Sequence, residues 1–194
     1  MHPIERIMAD HQSARSLEDA NADLCFLALS EDNEPTVRTL ILRGITDEGF
    51  TLFINKTSAK WQSITRSSRG ELLLWYPTVQ RQYRVRGTIE EMDRSAIEKN
   101  WPRRPAGSKY LDYAYTTFAP QSTEIESHDA LVKHVETFRA GNTEDSLTTP
   151  DIATGIMLKP LSIESLDLNS PERIHDRRRY TLENGHWKEA QLMP

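Results

Sequence analysis

The sequence predicts an antiparallel β-barrel flanked by short helices. Three observations carry this. Short apolar or alternating runs recur along most of the chain, each closed by turn residues. Helical patterns are few and short. The last two runs are joined by Glu183-Asn184-Gly185, and Asn-Gly is a strong hairpin signal. Many strands, tight turns and short helices together point to a barrel.

The elements follow in order. Ile4, Ile7, Met8 and His11 recur at helical spacing, so a short amphipathic helix opens the chain. Strands are expected over residues 23–30, 36–43 and 50–55, separated by the turns Glu31-Asp32-Asn33-Glu34-Pro35 and Thr46-Asp47-Glu48-Gly49. Residues 58–67 read as a helix capped by Ser58. Strands over 71–76 and 81–92 are split by a turn at Pro77, and helices are expected over 94–100, 109–118 and 129–139. After a polar loop at 141–150, strands are predicted over 156–159, 162–168, 177–182 and 186–192.

The length of 194 residues suits one domain, 1–194, with a buried core. The composition, 37% hydrophobic and 27% charged, is that of a soluble globular protein rather than a disordered one. No apolar run approaches the ~20 residues of a membrane helix, and the N-terminus lacks the apolar core of a secretory signal. A single cysteine, Cys25, excludes an internal disulfide and a multi-cysteine metal site, and its apolar surroundings make it a buried hydrophobe. These points predict a cytoplasmic protein without a metal site. A net charge of -5 argues against a nucleic-acid partner.

Against that acidity, Arg173-Ile174-His175-Asp176-Arg177-Arg178-Arg179 stands out. Four arginines in seven residues must be offset by solvent, by carboxylates or by a bound anion, and the guanidinium fork suits phosphate or carboxylate. Other cations stand upstream. In the strand 36–43, Val37, Thr39 and Ile41 share one face and Arg38, Leu40 and Leu42 the other, so Arg38 interrupts an apolar face. It either snorkels to water or holds an anion from a rigid strand. Arg43 has the opposite parity, so both arginines reach one site only near a bulge or strand end. Ser58-Ala59-Lys60 opens a helix where free amides, a hydroxyl and an ammonium suit a phosphate, although Ser58 also serves as a plain cap. Gln82, Arg84 and Arg86 alternate onto one face, either solvated or reading the polar edge of a flavin or a base. Arg103 and Arg104 precede Ser108 at a loop–helix junction, where Ser108 reads as the N-cap. His128 and His134, six apart, do not share metal-ligand spacing.

In their order along the chain these segments are specific. Arg38-Thr39-Leu40-Ile41-Leu42-Arg43, Phe53-Ile54-Asn55 with Ser58-Ala59-Lys60, Arg81-Gln82, Arg104-Pro105 with Ser108, Gln121-Ser122, and Arg173-Ile174-His175-Asp176-Arg177 resemble the pyridoxamine 5'-phosphate oxidase family. The resemblance implies an FMN-binding split barrel, working as a homodimer, with the strand pair at about 172–194 completing the active site. It implies that Arg38, Lys60, Gln82, Gln121, Ser122 and Arg177 hold FMN, with Thr39, Leu40, Ile41, Leu42, Arg43, Phe53, Ile54 and Ser58 contributing. Arg104 and Ser108, with Arg43, would hold a phosphorylated substrate. Arg173 and His175 would face its ring near the reacting carbon, with O2 as the final acceptor.

The chain departs from the family pattern at several positions. Arg43 stands where the family has lysine, Ala59 where it has arginine, Asn100 where a substrate-contacting tyrosine is expected, and Asp167 where a tryptophan is expected. The N-terminal segment that helps cover the site in longer members is expected to be missing. The resemblance therefore implies oxidation of pyridoxamine or pyridoxine 5'-phosphate. Oxidation or reduction of another ring substrate, such as a phenazine precursor, and FMN binding without turnover are the alternatives.

Overall fold

The computed structural model describes residues 2–170 and 172–194. Eight strands form one antiparallel sheet: β1 Leu24–Glu31, β2 Glu34–Thr46, β3 Gly49–Asn55, β4 Arg69–Tyr76, β5 Arg81–Glu91, β6 Ala153–Asp167, β7 Asp176–Glu183 and β8 His186–Leu192. Their order is β3-β2-β1-β4-β5-β6-β7-β8, and a further pairing of β3 with β6 closes the first six into a barrel. The hairpin β7–β8 extends the sheet beyond β6. The helices are α1 Pro3–Ser16, α2 Ala59–Arg66, α3 Arg94–Asn100, α4 Ala106–Thr117 and α5 His128–Gly141. By contact density the chain divides into two compact units. One comprises residues up to Leu52, Arg66–Glu90 and Met157–Pro194; the other comprises Phe53–Thr65 and Glu91–Ile156.

In the first unit, period-two burial builds the core. Cys25, Leu27 and Leu29 are buried along β1, Leu72, Leu74 and Tyr76 along β4, and Tyr83, Val85 and Ile89 along β5. Burying each large aliphatic chain contributes about 1.5–3 kcal/mol. Burial also pushes the Cys25 thiol up to about 12, as suits a hydrophobe rather than a nucleophile. Two hairpins use the same turn chemistry. Asp32 and Asn33 join β1 to β2 with φ of 50° and 68°, and Asn184 and Gly185 join β7 to β8 with φ of 51° and 81°. Helix α1 opens with Pro3 at its first position and buries Ile4, Ile7 and Ala14. Met8, expected on the buried stripe, is exposed.

Two further expectations are corrected. Residues 153–167 form one strand, β6, rather than two interrupted at Pro160. The backbone at Lys159–Pro160 fits because the facing position on β5 is Gly87, where any Cβ would lie 1.9 Å from the Lys159 carbonyl oxygen. Helix α4 begins at Ala106 with Pro105 at its N-cap, so Ser108 lies within the first turn and caps nothing. The Ser58 expectation holds: its hydroxyl accepts from the Trp61 backbone N–H at 3.4 Å.

The second unit packs around Ile97, Trp101, Tyr110, Leu147 and Ala153, with Phe53, Met92, Tyr113 and Phe138 against them. Trp101 Nε1 donates to the Leu147 carbonyl at 2.8 Å, satisfying the one polar atom of the largest ring. Among the described residues no helix is long and apolar enough to cross a membrane.

Candidate functional site

Within the second unit, β3 delivers Asn55 to the mouth of α2. Asn55 Oδ1 accepts from the Thr57 backbone N–H at 2.8 Å and from its hydroxyl at 2.7 Å, while Ser58 Oγ donates to the Asn55 carbonyl at 2.7 Å. This turn leads into α2 and sets Lys60 in its first turn, 7% exposed. Lys60 Nζ donates to Gln121 Oε1 at 3.0 Å, and the Gln121 backbone N–H donates to Thr57 Oγ1 at 3.1 Å. Gln121 Nε2 donates to the Tyr115 hydroxyl at 3.3 Å. Ser122 follows at φ 71° in an exposed turn. Lys60, Ser58 and Gln121, predicted from separate segments, therefore share one polar cluster. A helix N-terminus beside a buried ammonium suits a phosphate.

In the same unit, Arg104 lies just before α4. Its Nε is 2.6 Å from Oδ2 of Asp112, whose side chain is only 2% exposed. Burial pushes the Asp112 carboxyl up from its usual range, while Arg104 and Asn55 pull it down. Arg104 also lines a small cavity with Phe53, Ile54, Asn100 and Trp101. Asn100 turns back on its own helix, donating to the Ala96 carbonyl at 2.8 Å.

In the first unit, Gln82, His175 and Arg177 line one cavity of about 250 Å³, together with Arg84, Glu164 and Pro194. Arg177 Nη2 donates to Glu164 Oε2 at 3.0 Å, and Arg84 reaches the same carboxylate at 3.5 Å. The buried Nδ1 of His175 makes no hydrogen bond among the described residues. Among the described residues, carboxylates offset two of the four arginines in the C-terminal cluster: besides Arg177, Arg178 pairs with Asp176 and Glu189, each at 2.8 Å. Arg178 and Gln191 hold the Asp176 carboxyl below its usual range. Arg173 is exposed, in a turn with φ 61°.

On β2, Arg38 shares the inward face with Leu40 and Leu42, and its Nη2 donates to Glu31 Oε2 at 2.8 Å. Thr39 and Ile41 are exposed on the other face. The register of β2 against β3 slips between Leu42 and Gly44, a bulge at Arg43. This irregularity is the one that residue parity requires if Arg38 and Arg43 are to serve one site. Arg43 lines a cavity of about 620 Å³ with His11, Arg15 and Asp23.

Residues 12–141 match the family model described as pyridoxamine 5'-phosphate oxidase. The chain belongs to the pyridoxamine 5'-phosphate oxidase family. Curated relatives include the pyridoxine/pyridoxamine 5'-phosphate oxidases of Salinibacter ruber, 28% identical over 99% of this chain and 89% of that protein, and of Chelativorans, 31% identical over 91% and 82%. Among solved structures, PhzG from Burkholderia lata, in complex with tetrahydrophenazine-1-carboxylic acid, superposes with a TM-score of 0.88 at 25% identity, covering 99% of this chain and 92% of that one. A pyridoxamine 5'-phosphate oxidase-related, FMN-binding protein from Nostoc punctiforme shares the fold, with a TM-score of 0.79 at 18% identity, covering 100% and 99%.

Within this oxidase family, one position where the chain departs from the pattern, Asp167, carries a polar network of its own. Asp167 forms an ion pair with Arg81, and its Oδ1 accepts from Asn169 Nδ2 at 3.0 Å. Arg81 in turn lies 3.3 Å from Asp10 of α1, which accepts from the Tyr83 hydroxyl. Sequence reasoning missed Asn55, Asp112 and Glu164. One signal existed for Asp112: it is the only acidic residue in α4.

Proposed function

We propose that this chain is an FMN-dependent oxidase acting on a small anionic nitrogen heterocycle, with pyridoxamine or pyridoxine 5'-phosphate as the first candidate substrate and pyridoxal 5'-phosphate as product. The observation that carries the reading is the cluster at the start of α2, where Lys60, the helix amides and Gln121 form an anion cradle in a chain of this family. The curated relatives' names supply the substrate. FMN, when bound, would supply a two-electron acceptor: the carbon bearing the amine or hydroxyl would lose a hydride and its heteroatom a proton, and O2 would be reduced to H2O2. The imine formed from an amine would be hydrolysed to the aldehyde and ammonia. The chain's own residues would bind and orient. Lys60 and Ser58 would hold the cofactor phosphate, and Gln82 and Arg177 would hold polar groups of the cofactor. Arg104 would take the substrate's anionic substituent, and Arg173 and His175 would align its ring.

Anaerobic mixing of FMN-loaded protein with pyridoxamine 5'-phosphate tests the reading. Bleaching of the flavin, reversed by air, is expected; a flavin that stays oxidised counts against this substrate. Arg173→Ala should lower turnover about 10- to 150-fold, the worth of one charged contact at 1.5–3 kcal/mol, while leaving the bound FMN unchanged. Lost flavin with normal turnover per remaining flavin would remove Arg173 from this role.

A second reading, oxidation of a ring carboxylate of the phenazine-precursor type, is favoured by the Arg104–Asp112 pair and by the ligand of the Burkholderia lata protein. Flavin bleaching by a dihydrophenazine carboxylate, but not by the phosphate ester, would select it.

The protein would act as a homodimer. Val37 and Ile41, 65% and 43% exposed, present an apolar face on β2 that a second copy would cover. Val37→Asp with Ile41→Asp should shift the sedimentation coefficient from dimer to monomer; an unchanged value would place the interface elsewhere.

A further inference from the structure

Arg104 is already engaged by a carboxylate. Asp112, one of the most buried polar residues of the chain, holds its Oδ2 2.6 Å from Arg104 Nε. A solvated acid could swing away when a ligand arrives; a carboxylate this buried cannot. The neighbouring cation on α4, Lys109, also meets a carboxylate, Glu144 Oε1 at 2.8 Å, but that acid is half exposed. The Nη groups of Arg104 can still donate to a further acceptor, because the guanidinium carries five N–H bonds. The net charge that the pair offers an incoming anion is nevertheless close to zero.

The consequence depends on the ligand's charge. A phosphate monoester carries about -1.5 to -2 at neutral pH, whereas a carboxylate or sulfate ester carries one charge. Repulsion from a fixed carboxylate scales with ligand charge, so Asp112 opposes a phosphate nearly twice as strongly, in free energy, as a monoanion. Asn100 and Ser108 add no charge to offset it, and the adjacent Arg103 is exposed.

We propose that Asp112 is a specificity-determining residue that cuts the Arg104 subsite's preference for a phosphate dianion and so admits a singly charged substituent, of the carboxylate class. Asp112 acts through Arg104 rather than by touching substrate, and the inference rests on the reading that Arg104 faces the substrate.

The test uses two probes of one shape and different charge, pyridoxal 5'-phosphate and pyridoxal 5'-sulfate, each titrated into FMN-loaded protein while the flavin spectrum is followed. The wild-type protein should prefer the phosphate over the sulfate by well under tenfold. Asp112→Asn should tighten the phosphate about tenfold and the sulfate only about threefold, the ratio expected for two charges against one. Asp112→Glu, which keeps the charge, should retain the wild-type order. A wild-type preference of tenfold or more for the phosphate overturns the inference, even if the Asn variant does not fold, and leaves the FMN oxidase reading standing. Equal tightening of both probes by Asp112→Asn also overturns it. If FMN binds and neither probe perturbs it, the placement of Arg104 at the substrate fails and this inference fails with it.

Discussion

Gly87→Ala is expected to lower the melting temperature by about 6–12 °C. An added Cβ would meet the Lys159 carbonyl oxygen at 1.9 Å, the Lys159 carbonyl carbon at 2.7 Å and the Pro160 Cα at 3.1 Å. All three are backbone atoms, so no side-chain rotation relieves the clash, and β5 and β6 must separate. Overpacking of this kind costs about 3 kcal/mol, and each kcal/mol shifts the midpoint by roughly 2–4 °C in a chain of this size. Gly107→Ala is the control. Nothing lies within 4 Å of its Cβ position in α4, and alanine is the better helix former there, so the midpoint should stay level or rise slightly. Equal melting points for the two variants would mean that β6 does not press on β5 at Gly87.

The same glycine shows where sequence reasoning ends. Alternation made β1, β4 and β5 legible, and Asn184-Gly185 announced its hairpin, because those signals are local. Residue parity also stated the condition for Arg38 and Arg43; a bulge stands at Arg43, yet Arg38 pairs with Glu31 while Arg43 lines the cavity beside His11. The continuity of β6 through Pro160 was not legible, since it depends on a glycine some seventy residues earlier in the chain. The partners of the arginines were hidden for the same reason. Glu164 meets Arg177 because the register pairs Leu166 with Arg177 and places Glu164 on the diagonal. Sequence showed that the C-terminal arginines must be offset; only register reveals that carboxylates do it for Arg177 and Arg178. Asp112 differs, since a lone acid among the tyrosines and leucine of this helical segment is visible before any fold is known.

Lys60→Met is expected to weaken FMN binding about 10- to 150-fold while leaving riboflavin binding unchanged. Methionine keeps the apolar stem that α2 buries and removes only the ammonium, so packing at this position is preserved. What disappears is one charge-assisted contact to the phosphate, worth about 1.5–3 kcal/mol. Riboflavin lacks the phosphate, so its affinity should not register the change. The experiment is a fluorescence titration of flavin-free protein with each compound. Gln121→Ala should reproduce part of the loss, because Gln121 Oε1 fixes Lys60 Nζ at 3.0 Å and its backbone is tied to Thr57 at the same turn. Equal weakening of FMN and riboflavin would mean that Lys60 supports the fold of the α2 turn rather than the phosphate. No weakening of either would move the cofactor phosphate away from this helix.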